Sequence, residues 1–131
     1  MRLFLTLVVA GFLGFTAAGI ADHELPGGTI RGLYNSAYQL QRSVQYSSLR
    51  YHVKNAVYRF ANDVRQFVNC SNSGLPTWEH DSVPERCEYI IGNLHQRWYE
   101  VDRYLYDTYY DYPSVYRDYR QVQRQMQQLP R

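Results

Sequence analysis

The sequence predicts a small all-α protein, an antiparallel helical bundle closed by one disulfide. Three observations predict it. Residues 29–69 and 83–111 place apolar side chains at steps of three and four, the spacing that lines one face of a helix. A Gly-, Pro- and Ser-rich segment, "SNSGLPTWEHDSVPER" at 71–86, reads as a loop between them. Two cysteines, Cys70 and Cys87, flank that loop.

Residues 1–21 have the order of a secretory leader: a basic start at Arg2, an apolar run from Leu3 to Leu13, and small residues at Gly19 and Ala21. The competing reading, an uncleaved anchor, has an apolar run close to the ~20 residues needed to span a bilayer. The glycines and the small-residue exit favour cleavage, and an exported protein, periplasmic or extracellular, is expected. Residues 22–131 then form one domain. Export places Cys70 and Cys87 in an oxidising compartment, where such a pair is expected as a bridge.

Residues 22–28 are a polar lead-in. Thr29 is the expected N-cap of the first helix. Over 29–69 the stripe shifts sides midway. Ile30, Leu33, Ala37, Leu40 and Val44 share one face; Leu49, Val53, Val57, Phe60, Val64 and Phe67 share another, nearly opposite at 100° per residue. Heptad drift of about 20° per repeat is too small to join them. A break near Ser47-Ser48 gives helices over about 29–46 and 49–69; the alternative is one long helix packed along two shorter ones. The segment "QYSSLR" at the break holds neither Gly nor Pro.

After a loop at 70–82, Ser82 and Glu85 form an S-x-x-E capping box ahead of a helix predicted over 83–111. Its seam is Cys87, Ile91, Leu94, Trp98, Val101, Leu105, Thr108 and Tyr112. Pro113 is expected to end or kink it. A last helix, about 114–129, carries Val115, Tyr119, Val122, Met126 and Leu129. The four-helix reading is an up-and-down bundle.

Composition bears on function chiefly through tyrosine. There are fourteen, against two phenylalanines (Phe60 and Phe67) beyond the leader. Some must do core work: Tyr112 and Tyr119 in the seam, Tyr104 and Tyr109 at its edge, with nearby Asp and Arg as partners for their hydroxyls. Tyr99, Arg103, Tyr106 and Tyr110 do not fit that seam. Their spacing of four, three and four makes a helical strip that either packs against another helix or meets a partner. Tyr and Arg are the side chains enriched at binding hot spots.

Other chemistries lack their signatures. The formal charge of +2 includes Arg2, so +1 remains without the leader, which is far from a nucleic-acid footprint despite Arg117, Arg120 and Arg124 near Tyr116. The histidines (His23, His52, His80 and His95) show no metal-ligand spacing, and no metal or cofactor is expected. No catalytic motif is present, and the acidic residues read as helix-surface charge, Arg103 and Asp107 forming a typical pair. The expectation is non-catalytic binding of a protein or cell-envelope partner through Tyr99, Arg103, Tyr106 and Tyr110. The alternative is a bundle binding a small ligand in a tyrosine-lined cavity.

Overall fold

The computed structural model describes residues 22–26, 28–71 and 80–131. The expected leader, most of the 71–79 stretch and the side chains of His23 and His80 lie outside the described residues. Strand β1 (Asp22–Pro26) precedes helices α1 (Thr29–Gln45) and α2 (Tyr51–Ser71). Strand β2 (His80–Pro84) and a 3-10 turn (Glu85–Cys87) lead into α3 (Glu88–Leu105), and α4 (Pro113–Met126) closes the chain. Helix α1 packs on α2 and α4, α2 packs on α3, and a narrower seam joins α3 to α4.

The chain does break between Gln45 and Tyr51, and a hydroxyl supplies the break that Gly or Pro would ordinarily supply. Ser47 Oγ donates to the Val44 carbonyl at 2.6 Å and accepts from the Leu49 N–H at 3.2 Å. Both groups are thereby satisfied outside the α-helical ladder, which is how serine competes with helix. Lys54 Nζ covers the Gln45 carbonyl at 3.3 Å. With the break in place, both stripes face one core: Leu33, Ala37, Leu40 and Val44 from α1, and Val53, Val57, Phe60, Val64 and Phe67 from α2, are buried.

Several boundaries differ from those read in the sequence. Thr29 is not the N-cap. Gly28 holds that position with φ +83°, and the Thr29 hydroxyl instead reaches across to Gln128 Oε1 at 3.0 Å. The helix start expected at Ser82 and Glu85 is not there: Ser82 lies in β2 and pairs with Glu24, and Pro84 is the N-cap of the 3-10 turn at Glu85–Cys87. The helix predicted over 83–111 spans only Glu88–Leu105. Pro113 does not end it, but is the first residue of α4, where its missing N–H costs nothing. What ends α3 is Thr108, whose hydroxyl donates to the Leu105 carbonyl at 2.7 Å while its N–H takes the same oxygen at 3.2 Å. The seam survives the early stop: Thr108 is buried and Tyr112 half-buried, and every seam residue from Cys87 to Leu105 is buried.

The antiparallel ribbon of β1 and β2 has no forerunner in the sequence pattern. It pairs Asp22 with Pro84 and Pro26 with His80, so a proline lies at the end of each strand. A two-stranded ribbon is marginal alone. Leu25 and Val83, both buried, insert it into the core. The Cys70–Cys87 disulfide, with Cα atoms 5.9 Å apart, ties the end of α2 to the start of α3. No helix among the described residues is long and apolar enough to cross a membrane.

The bridge spans 17 residues of sequence, which on the chain-entropy account stabilises the fold by ~3 kcal/mol. Replacing both cysteines by serine is expected to lower the unfolding free energy by about that amount in urea titration. The native far-ultraviolet spectrum should survive, because the helical seams do not depend on the bridge.

Candidate functional site: a tyrosine-bearing face and tip

Two turns meet at the end of the bundle opposite the disulfide: residues 46–50, between α1 and α2, and 106–112, between α3 and α4. The Ser48 and Tyr112 hydroxyls are 3.0 Å apart and join them. His52, in the first turn of α2, meets the Tyr104 ring edge-on at 5.1 Å. Tyr46 and Tyr51 border one turn, and Tyr106, Tyr109 and Tyr110 lie in the other. Tyrosines from two separate turns are thus assembled at one tip.

The four residues expected to form a strip are all exposed: Tyr99 at 66%, Tyr106 at 62% and Tyr110 at 89%, with Arg103 likewise in solvent. None of them packs into the bundle core. Tyr99, Arg103 and Tyr106 do share a face of α3, since Tyr106 still donates its N–H to the Asp102 carbonyl. Tyr110 does not continue that face. It lies beyond the helix end, with its ring edge-on to Tyr109 at 5.0 Å. Arg103 also departs from its expected partner. Asp107 falls past the last turn of α3, and the Arg103 guanidinium instead sits 6.0 Å from the centre of the Tyr99 ring. A second such pair, Arg42 over Tyr38 at 5.9 Å, lies on α1. A cation held over an aromatic face is ordered without being buried.

Tyrosine is mostly surface here. Eleven of the fourteen are exposed, and Tyr109, expected at the core's edge, is more than half in solvent. Tyr112 and Tyr116 are half-buried, and Tyr119 alone is buried, in the seam position expected of it. Its ring stacks on Trp98 at 5.5 Å, and Trp98 in turn meets Phe60 at 5.2 Å, so three rings link α4, α3 and α2. The Tyr119 hydroxyl donates a hydrogen bond to the Asp102 carboxylate. Burial, and then that bond, push the phenol well above its ordinary pKa. Asp102 was not singled out from sequence, where it read as one helix-surface charge among several. Tyr46, Tyr51 and His52 were also missed; their one signal is that they bracket the unexplained break at Ser47-Ser48.

The exposed tyrosines of the tip form open surface. A crease between α1 and α2, lined by Tyr34, Tyr38 and Gln41 among others, is too shallow to enclose a ligand. Among the described residues no three of His, Cys, Asp and Glu converge as metal ligands. Surface ion pairs join α2 to α3, Arg59 to Glu100 at 2.9 Å and Arg97 to Asp63 at 3.0 Å; exposed pairs of this kind contribute ~0–1 kcal/mol each. No family model, curated protein or solved structure matches the chain.

Tyr119 has a pH signature whose sign follows from linkage. Its folded pKa lies above the unfolded value of about 10, so its contribution to stability is complete below that pH and is lost as pH rises through the folded value. Stability measured by denaturant titration should therefore fall more steeply above pH ~10 in the native protein than in Tyr119→Phe. At neutral pH that variant should lose ~1–2 kcal/mol, with the Asp102 hydrogen bond removed and the Trp98 stack retained.

Proposed function

We propose that this is an exported protein that acts by non-catalytic binding, meeting a protein or cell-envelope partner through Tyr99, Arg103, Tyr106 and Tyr110. The observation that carries the reading is the exposure of all four, with Arg103 already laid over the Tyr99 ring. A side chain ordered before binding loses less entropy on contact, and tyrosine gives large area for two rotatable bonds. The Cys70–Cys87 bridge supports an oxidising compartment. A tyrosine-lined interior cavity finds less support: the one buried tyrosine, Tyr119, is filled in against Trp98.

Proximity crosslinking in the native organism identifies the partner, and variants then test the face. Tyr106→Ser with Tyr110→Ser is expected to abolish capture while leaving helicity and the melting temperature nearly unchanged. Tyr→Phe at the same positions should keep most of the capture, since the ring supplies most of the contact area. Undiminished capture by the serine variant overturns the reading. A large loss of stability in that variant would show that the two side chains serve the fold.

A further inference from the structure

Five oxidisable rings stand in series from the interior to solvent. Trp98 stacks on Tyr119 at 5.5 Å, Tyr119 meets Tyr116 at 5.5 Å, Tyr116 meets Tyr109 at 5.2 Å, and Tyr109 meets Tyr110 at 5.0 Å. Trp and Tyr are the two side-chain types with aromatic rings that most readily give up a single electron, and rings in contact exchange such a vacancy readily. Trp98 and Tyr119 are buried, Tyr116 is half-buried, and Tyr110 is the most exposed tyrosine in the chain. The Asp102 carboxylate accepts the Tyr119 hydrogen bond. It can therefore take the phenolic proton when an electron leaves that ring and return it when the ring is re-reduced.

We propose that Tyr110 is a site of oxidative phenol coupling: an electron vacancy formed anywhere on Trp98, Tyr119, Tyr116, Tyr109 or Tyr110 collects at Tyr110, which then joins a second copy of the chain through a dityrosine bond. The oxidant is of the peroxide-driven one-electron class, such as a haem peroxidase. Each Tyr110 phenol gives one electron to the oxidant and its proton to water, leaving a phenoxyl radical. Two radicals form one carbon–carbon bond between ring positions ortho to oxygen, and the hydrogen on each of those carbons transfers to its oxygen to restore the phenol. Two electrons and two protons leave in all, reducing one hydrogen peroxide to two waters.

The fold supplies its own comparison. Tyr46 and Tyr51 are 79% and 80% exposed, close to Tyr110, yet neither contacts another aromatic ring among the described residues. Exposure alone predicts similar coupling at all three; the ring series predicts Tyr110.

The test treats purified, disulfide-intact protein with a haem peroxidase and hydrogen peroxide, reads covalent dimer and dityrosine fluorescence, and maps the linkage by peptide mass spectrometry. Most linkage is expected at Tyr110. Tyr110→Phe should remove most of the dimer, while Tyr46→Phe and Tyr51→Phe should leave it nearly unchanged. Tyr116→Phe interrupts the series and should bring linkage at Tyr110 down to that at Tyr46 or Tyr51. Circular dichroism confirms that each variant is folded. Linkages spread evenly over Tyr46, Tyr51 and Tyr110, a Tyr116→Phe protein that couples like the native one, or no dimer where a tyrosine peptide couples, each overturn the proposal. Because phenylalanine keeps the ring, loss of coupling in Tyr110→Phe is separable from loss of partner binding.

Discussion

Two side-chain hydroxyls determine where this chain can turn, and the bundle depends on them. Ser47 bonds the Val44 carbonyl and Thr108 bonds the Leu105 carbonyl, each three residues back. Either bond withdraws a carbonyl from the α-helical ladder without help from glycine or proline. The first turn lets the nearly opposite stripes of α1 and α2 face one core. The second stops α3 well before Pro113, so that α4 can fold back beside it. The same two turns come together through Ser48 and Tyr112, and their neighbours are the exposed tyrosines of the tip. Architecture and candidate surface therefore share one origin.

The core is built from modest parts. Valine, leucine and alanine dominate it, and its large aromatic members are Phe60, Phe67, Trp98 and Tyr119. At the narrow seam between α3 and α4 a tyrosine stands where leucine or phenylalanine would be usual, and its hydroxyl must then be satisfied. Asp102 does that, and Ser43 does the equivalent for the buried Asp118 between α1 and α4. Both of these buried groups take their partner from a neighbouring helix, as the cost of an unpaired one requires. These bonds also fix the relative position of helices whose apolar contacts alone would tolerate sliding.

Much of the helical core was legible because it rests on local periodicity. Leu94, Trp98, Val101 and Leu105 are buried as their spacing implies, and so are Val115, Tyr119, Val122, Met126 and Leu129. The ribbon was not legible. "DHELP" and "HDSVP" are short, polar and proline-ended, and their pairing rests on backbone bonds between segments more than fifty residues apart. Leu25 and Val83 become core residues only once that pairing exists. The helix start expected at Ser82 failed for the same reason, since that segment pairs as a strand and Pro84 takes the N-cap position.

Taken alone, the sequence determined the all-α class, the four apolar seams and the pairing of the two cysteines, because each follows from spacing or from the count of partners. It also singled out Tyr99, Arg103, Tyr106 and Tyr110 as residues the seam does not use. The tertiary structure decided what those residues meet. Spacing along an ideal helix had joined Tyr110 to Tyr106 and Arg103 to Asp107, but the helix ends at Leu105, and both relations end with it. Only the folded chain brings Tyr109 into ring contact with Tyr116, because they come from a turn and a helix face whose meeting no local pattern encodes.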